Sequence, residues 1–277
     1  MGKKLWPPDV DKVGPAAMVR WFDKHPSMLR DDRHVMWLGV YQLWLDRYSD
    51  AQHSFAQAIE GFARTARDVE YVNLDLFGLK FVAHWLEGDR NAAVECLTVA
   101  MEKSHRRHVA CYAGLRAGFT IGLLMWFAAR EMRDTKLASK AETDLRFGAK
   151  WRNGHWPQPL ARLVLGEIAP EEFSKSVLGV DDLFELETRP EGTIRITDMS
   201  TFRHPDELQS LYFYLGLMTR PSRARTKGRA LLHRVACTKP HGPECEWYLA
   251  RQLCGMTMSW QPTDALLDRK SAGAKSS

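Results

Sequence analysis

The stretch that decides the fold runs from residue 37 to residue 58 and reads WLGVYQLWLDRYSDAQHSFAQA. Small residues at Ala51 and Ala58 flank the bulky Phe55, and the three positions fall on one face of a helix. Small positions let a second helix approach closely, while a large side chain fills the space opposite. The polar step Asp46-Arg47 before this helix predicts a tight turn. The stretch therefore predicts two antiparallel helices packed together.

A second copy of this unit follows, since residues 77–100 read FGLKFVAHWLEGDRNAAVECLTVA. A shift of 42 residues superposes the small, bulky and small positions of the first copy on Ala93, Leu97 and Ala100. The polar step Gly88-Asp89 takes the place of the first turn. One helix pair cannot bury its apolar face alone, so the repeated pairs are expected to stack on one another.

The first copy resembles the tetratricopeptide repeat, a helix pair that recurs about every 34 residues. That family carries a Leu-Gly pair in the first helix and an Ala-aromatic-Ala pattern in the second. The family positions in the first copy are Leu38, Gly39, Tyr48, Ala51, Phe55 and Ala58. The second copy departs at Lys80-Phe81, where Leu-Gly is expected, and the 42-residue offset implies helices or linkers longer by about two turns.

A third, degenerate pair is predicted over 108–132 and 136–150. Its first helix carries glycines four residues apart, and its second helix carries one apolar seam. The glycines are Gly114, Gly118 and Gly122, and the seam residues are Leu137, Ala141 and Leu145.

Further helices are predicted after residue 156, because prolines stand where helices begin at 157–159 and at Pro170. The segments 212–216 and 227–232 are expected to form another pair, followed by a last helix at 244–256. This order is similar to the final repeats of bacterial tetratricopeptide proteins, which include lipoprotein adaptors for cell-wall hydrolases and proteases. The chain lacks their signal peptide and lipid-carrying cysteine, so their location is not carried over.

Residues 183–197 alternate apolar and polar side chains around a Pro-Glu-Gly turn, which predicts a β-hairpin, with a partly ordered loop as the alternative. We therefore expect an all-α fold, a tetratricopeptide-like helical-hairpin solenoid of about five pairs with a small β-hairpin insertion. The expected segments are a flexible N-terminus at 1–13, helical repeats at 14–177, the insertion at 178–204, C-terminal helical repeats at 205–260 and a disordered tail at 261–277.

The composition excludes several classes of protein. A formal charge of +5 over 277 residues is mild for a dedicated nucleic-acid binder. The longest uncharged stretch, residues 117–129, is shorter than the roughly 20 residues that a membrane-spanning helix needs. No secretory signal is visible at the start of the chain. Five scattered cysteines fit reduced thiols better than disulfides, so we expect a cytoplasmic protein without membrane contact.

The sequence offers no catalytic motif. A phosphate-binding Gly-rich loop, a Gly-x-Ser-x-Gly elbow and a His-Glu-x-x-His helix do not occur in it. We therefore predict no catalytic residue and no cofactor. Two sets of His and Cys side chains lack the paired spacing of zinc sites, and no metal site is predicted. These sets are His105, His108 and Cys111, and His233, Cys237, His241 and Cys245.

Partner binding is expected on the first helix of each pair, which lines the concave face in the tetratricopeptide family. Because these positions are mostly apolar, they favour a partner protein bound as a peptide or amphipathic helix, or a helix from the chain's own termini. The alternative is that they pack against the next layer of helices. The predicted partner-binding residues are Arg33, Met36, Val40, Leu43, Val82 and Trp85.

A basic run without acidic residues is the second candidate site. It is suited to an acidic peptide or to the phosphates of nucleic acid, and its structural alternative is a solvated turn with a helix start. Aromatic residues do not interleave it, so we rank nucleic acid below the peptide. The run comprises Arg220, Arg223, Arg225, Lys227, Arg229 and Arg234.

The predicted function is a non-enzymatic adaptor or scaffold. The alternatives are a nucleic-acid-associated regulator and a helical enzyme of unrecognised type. A homo-oligomer is left open.

Overall fold

We describe the fold from a computed structural model. The residues that it describes are 9–65, 74–106, 112–149, 156–178, 205–220, 225–238 and 244–257. Within these ranges all regular secondary structure is helical, which confirms the predicted all-α class there. The predicted β-hairpin at 183–197 and the predicted tail at 261–277 lie outside the described residues.

The first half of the chain consists of helix pairs joined by tight turns. Within the segment expected to be flexible, residues 10–13 form a short helix that packs on the next one. The helices are α1 (Val10–Val13), α2 (Pro15–Lys24), α3 (Asp32–Leu43), α4 (Tyr48–Thr65), α5 (Leu74–Glu87), α6 (Arg90–Arg106), α7 (Tyr112–Met132) and α8 (Thr135–Ala149), with a 3-10 turn at Pro26–Arg30.

One turn geometry joins the three pairs α3–α4, α5–α6 and α7–α8. A residue with positive φ ends the first helix in each case, at 57° for Asp46, 100° for Gly88 and 56° for Arg133. The next residue donates its N–H to a carbonyl five residues earlier, which is the Schellman end of a helix. These bonds run from Arg47 to Gln42 at 2.9 Å, from Asp89 to His84 at 3.0 Å and from Asp134 to Ala129 at 2.9 Å.

The seam predicted for the second helix of each pair is buried. Phe55 packs into the space left by Gly39, where an added Cβ would lie 2.6 Å from the ring. This contact explains why a glycine stands in the first helix opposite a large residue in the second. The fully buried seam residues of the first two pairs are Ala51, Phe55, Ala58, Ala93, Leu97 and Ala100, and the third pair buries Leu137, Ala141 and Leu145.

The helices stack in chain order from α2 to α9, and the first helices of successive pairs also touch, α3 with α5 and α5 with α7. The remaining helices are α9 (Gln158–Val164), α10 (Pro170–Phe173), which continues as a π-helical turn to Leu178, α11 (Pro205–Thr219), α12 (Arg225–Cys237) and α13 (Cys245–Leu253). In the C-terminal part α11 packs on α12, and α12 on α13. The last helix then returns to contact α5, so the C-terminal helices close over the N-terminal pairs.

Candidate functional site

The apolar face of α3 and α5, the first candidate surface, is closed in the structure. Val40, Leu43 and Val82 have no exposed area, and Trp85 is only 2% exposed. The prediction that these four side chains contact a partner is therefore wrong for the chain as it is folded here, because they belong to its core. The alternative considered from the sequence, that they pack against another layer of helices, describes their placement.

The chain's own C-terminal helices cover this face. Phe127 of α7 lies between two aromatic neighbours, with ring centroids 5.0 Å from Trp85 and 5.7 Å from Phe213 of α11. At the other end of α5, an added Cβ on Gly78 would lie 3.0 Å from Sγ of Cys245 in α13. The space that a partner helix was expected to fill is thus filled from within the same chain.

Only two of the six predicted groove residues reach the surface. Arg33 is exposed on the first turn of α3, where its backbone N–H donates to Asp31 Oδ1 at 2.9 Å. Met36 is half-buried and packs against the edge of the core. These two residues alone do not form an apolar groove.

The basic run is divided by the structure into residues with different surroundings. Arg220 forms an ion pair with Glu131, with 2.7 Å between Nη1 and Oε1. The guanidinium of Arg234 lies over the ring of Tyr212, 4.8 Å from its centroid. Arg223 lies outside the described residues. Arg225, Lys227 and Arg229 are exposed on α12.

Three exposed side chains of α12 share one face, and we call Arg225, Arg229 and His233 the basic stripe. They are four residues apart, so they lie above one another along the helix. Arg225 and Arg229 form no ion pair with the described residues, and α12 contains no acidic residue. The stripe is therefore a positive surface that its own helix does not neutralise.

Tight packing of α12 against α11 fixes the direction of this stripe. An added Cβ on Gly228 would lie 2.8 Å from the carbonyl oxygen of Gly216, so two glycines bring the helices into close contact. The opposite side of α12 buries an apolar set against the core, which leaves the basic stripe facing outward. The buried set consists of Gly228, Leu231, Leu232, Val235 and Ala236.

Several arginines outside the predicted run lie on tryptophan rings. The distance from the guanidinium carbon to the ring centroid is 3.8 Å for Arg90 on Trp85 and 4.7 Å for Arg130 on Trp126. Burial lowers the pKa of both arginines from its ordinary value, although they keep their charge at neutral pH. These pairs are not among the residues predicted from the sequence, but the spacing of four residues between Trp126 and Arg130 on one helix is a usable signal.

Cys237 and His233 lie close together on α12, but the described residues around them do not form a metal site. Cys237 Sγ lies 3.5 Å from Nδ1 of His233, whereas Cys245 is buried on another helix. The described residues hold no group of three or more His, Cys, Asp or Glu side chains placed to bind a metal ion. His108 and Cys111 lie outside the described residues.

Within the part of the chain that the structure describes, none of the helices combines the length and apolar character needed to cross a membrane. Comparison with protein-family models, with curated proteins and with solved structures found no match. The candidate site is therefore identified from the structure alone. It is the outward-facing basic stripe on α12, which lies beside a closed apolar core.

Proposed function

We propose that this chain is a non-enzymatic scaffold of tetratricopeptide-like helix pairs, and that it binds an acidic segment of another protein through the basic stripe of α12. The observation that carries this proposal is the exposure of Arg225, Arg229 and His233 on one face, where neither arginine forms an ion pair with the described residues. Exposed arginines present several donors to a carboxylate in a planar arrangement.

The scaffold part of the proposal draws support from the recurrence of one structural unit. Three helix pairs share the same turn geometry, and the first two bury the same small, bulky and small residues. In arrays of this kind each unit contacts its neighbours, and an extended outer surface stays available for partners. An adaptor uses such a surface without needing a deep pocket.

Spacing and shape favour an acidic helix as the partner. Two residues four apart on a helix are separated by about 6 Å along its axis, so Glu side chains at the same spacing on a partner helix match Arg225 and Arg229. Nucleic acid is the competing ligand, because phosphates also pair with arginine. The exposed stripe carries no Phe, Tyr or Trp side chain on which a base would stack, which favours the peptide.

The proposal is tested by fluorescence anisotropy with two labelled probes, a peptide with Glu at four-residue spacing and a single-stranded oligonucleotide of the same charge. The double variant Arg225→Glu with Arg229→Glu is expected to weaken peptide binding by at least about tenfold, a change of about 1.4 kcal/mol. Binding should also weaken with added salt, since the contact is exposed.

A matched control is available on α8, where Lys136 and Lys140 are exposed and four residues apart. Reversing both charges there changes the net charge by the same amount and should leave peptide affinity unchanged. Equal loss in both double variants would mean that only net charge matters, which contradicts a site on α12. Tighter binding of the oligonucleotide, lost with the α12 charges, would favour the nucleic-acid-associated regulator instead.

A further inference from the structure

The guanidinium of Arg251 joins the C-terminal ends of α12 and α13, and a cysteine lies at each of these ends. Cys237 is the last residue of α12, and Cys254 follows directly after α13. Arg251 donates from Nη1 to the carbonyl of Ala236 at 3.0 Å and from Nε to the carbonyl of Thr257 at 3.0 Å. One side chain therefore joins the two backbone stretches that carry the thiols.

These two cysteines differ from the other described ones in their access to solvent. Cys237 is exposed and Cys254 is partly exposed, whereas Cys96 and Cys245 are buried, and all four are free thiols. His233 lies beside Cys237, with its two ring nitrogens 3.5 and 3.7 Å from Sγ. Oxidants react with accessible cysteines through the thiolate form.

The electrostatics of this region also couple Cys237 to Cys254. Burial raises the pKa of Cys254, and the neighbouring Cys237 raises it further. Burial lowers the pKa of Arg251, whereas Cys237 and Cys254 act to raise it. These directions agree with the packing of α12 on α13 and with the hydrogen bonds of Arg251.

We propose that Cys237 and Cys254 are a redox pair, which hydrogen peroxide converts to an intramolecular disulfide. The exposed thiolate of Cys237 attacks one peroxide oxygen, the O–O bond breaks, and the sulfur becomes a sulfenic acid while one water leaves after protonation. Cys254 then attacks this sulfur and displaces the second oxygen as water. The two thiols lose two electrons in total, and one hydrogen peroxide becomes two waters. The inference is independent of the proposed scaffold function.

The disulfide would tie the end of α12 to the segment that follows α13. A covalent bond between these ends limits their separation in the unfolded chain and stabilises the fold. Because α13 also contacts α5, the bond would strengthen the closure of the C-terminal helices over the N-terminal pairs.

The test treats the full-length protein with hydrogen peroxide, blocks the remaining thiols and maps cross-linked peptides by mass spectrometry without reduction. Trypsin alone leaves Cys237 and Cys245 in one peptide because Lys239 precedes Pro240, so a second cleavage after Glu244 is required. We expect the loss of two thiols per chain, a link from Cys237 to Cys254, and a higher melting temperature that dithiothreitol reverses.

Single variants separate the two steps. In Cys254→Ser, the sulfenic acid on Cys237 should persist and be trapped by dimedone, whereas Cys237→Ser should lose both the trapping and the link. The control Cys96→Ser should retain the link. Peroxide treatment that leaves all thiols free, or that links Cys237 to Cys245 or to a second chain, would overturn the proposal.

Discussion

Two tyrosines show how the surroundings of a hydroxyl decide whether it stabilises the fold. Tyr214 is fully buried, and its hydroxyl has no hydrogen-bond partner among the residues that the structure describes. The hydroxyl of Tyr48 donates to Asp46 Oδ1 at 2.7 Å in the first turn. We expect Tyr214→Phe to raise the free energy of unfolding by about 1 kcal/mol and Tyr48→Phe to lower it by a similar amount. Urea unfolding measures both, and a loss of stability in Tyr214→Phe would contradict the prediction.

Alkaline pH should weaken the fold through buried acidic groups. Burial raises the pKa of Tyr214, Tyr248 and Cys245 well above their ordinary values. Such groups stay neutral in the folded chain and lose protons first in the unfolded chain, so their contribution is complete below the ordinary pKa. The loss begins as pH rises past about 8.5 for cysteine and about 10 for tyrosine, and it continues up to the raised pKa of the folded state.

Urea unfolding at a series of alkaline pH values tests this dependence. The free energy of unfolding should fall as pH rises through that range, and Tyr214→Phe should reduce the fall. A constant free energy up to pH values above about 10 would contradict burial of these groups.

Two residues of the predicted groove, Met36 in α3 and Trp85 in α5, are expected to differ sharply in how much their substitution lowers stability. Trp85→Ser removes a large side chain that is 2% exposed, so it should cost about 3–5 kcal/mol of stability. Met36→Ser changes a half-buried side chain at the edge of the core and should cost clearly less. Thermal melting of the two single variants tests this difference. Equal and small decreases in melting temperature would indicate that Trp85 lies at the surface.

The same helices show which contacts local sequence can predict. The turn at Asp46 and the packing of Phe55 on Gly39 join residues of one pair, so their pattern is visible within about 20 residues. The burial of Trp85 was not predictable in this way, because Phe127 of the next helix pair packs against it. The outward face of α12 was predictable as a basic run, but the sequence did not separate Arg220, which pairs with Glu131, from the exposed arginines.

Over the whole molecule, the contact between α13 and α5 is the step that closes the fold, and a single substitution can test it. A Cβ at Gly78 would lie 3.0 Å from Sγ of Cys245, close to the separation found across a disulfide. Gly78→Cys should therefore form a disulfide with Cys245 under mild oxidation and raise the melting temperature. The bond would join distant parts of the chain, for which stabilisation by about 2–4 kcal/mol is typical.

Gly78→Ala is the matched control, because it adds the same Cβ, 3.3 Å from Leu124 Cδ1, without a sulfur. After the same oxidation its melting temperature should respond less to reductant than that of Gly78→Cys, because it cannot form the link to Cys245. Absence of a link between position 78 and Cys245 in oxidised Gly78→Cys, when Gly78→Ala is folded, would mean that α13 does not pack on α5 in solution.

This closure also bears on how the protein is made in the cell. Translation proceeds at about 5–20 residues per second, so on the order of ten seconds separates the synthesis of α5 from that of α13. During that interval the nascent chain would display the apolar surface of α5 around Gly78, against which Cys245 of α13 packs in the folded chain. The emerging polypeptide thus has a period of exposed apolar surface in which a ribosome-associated chaperone would be useful.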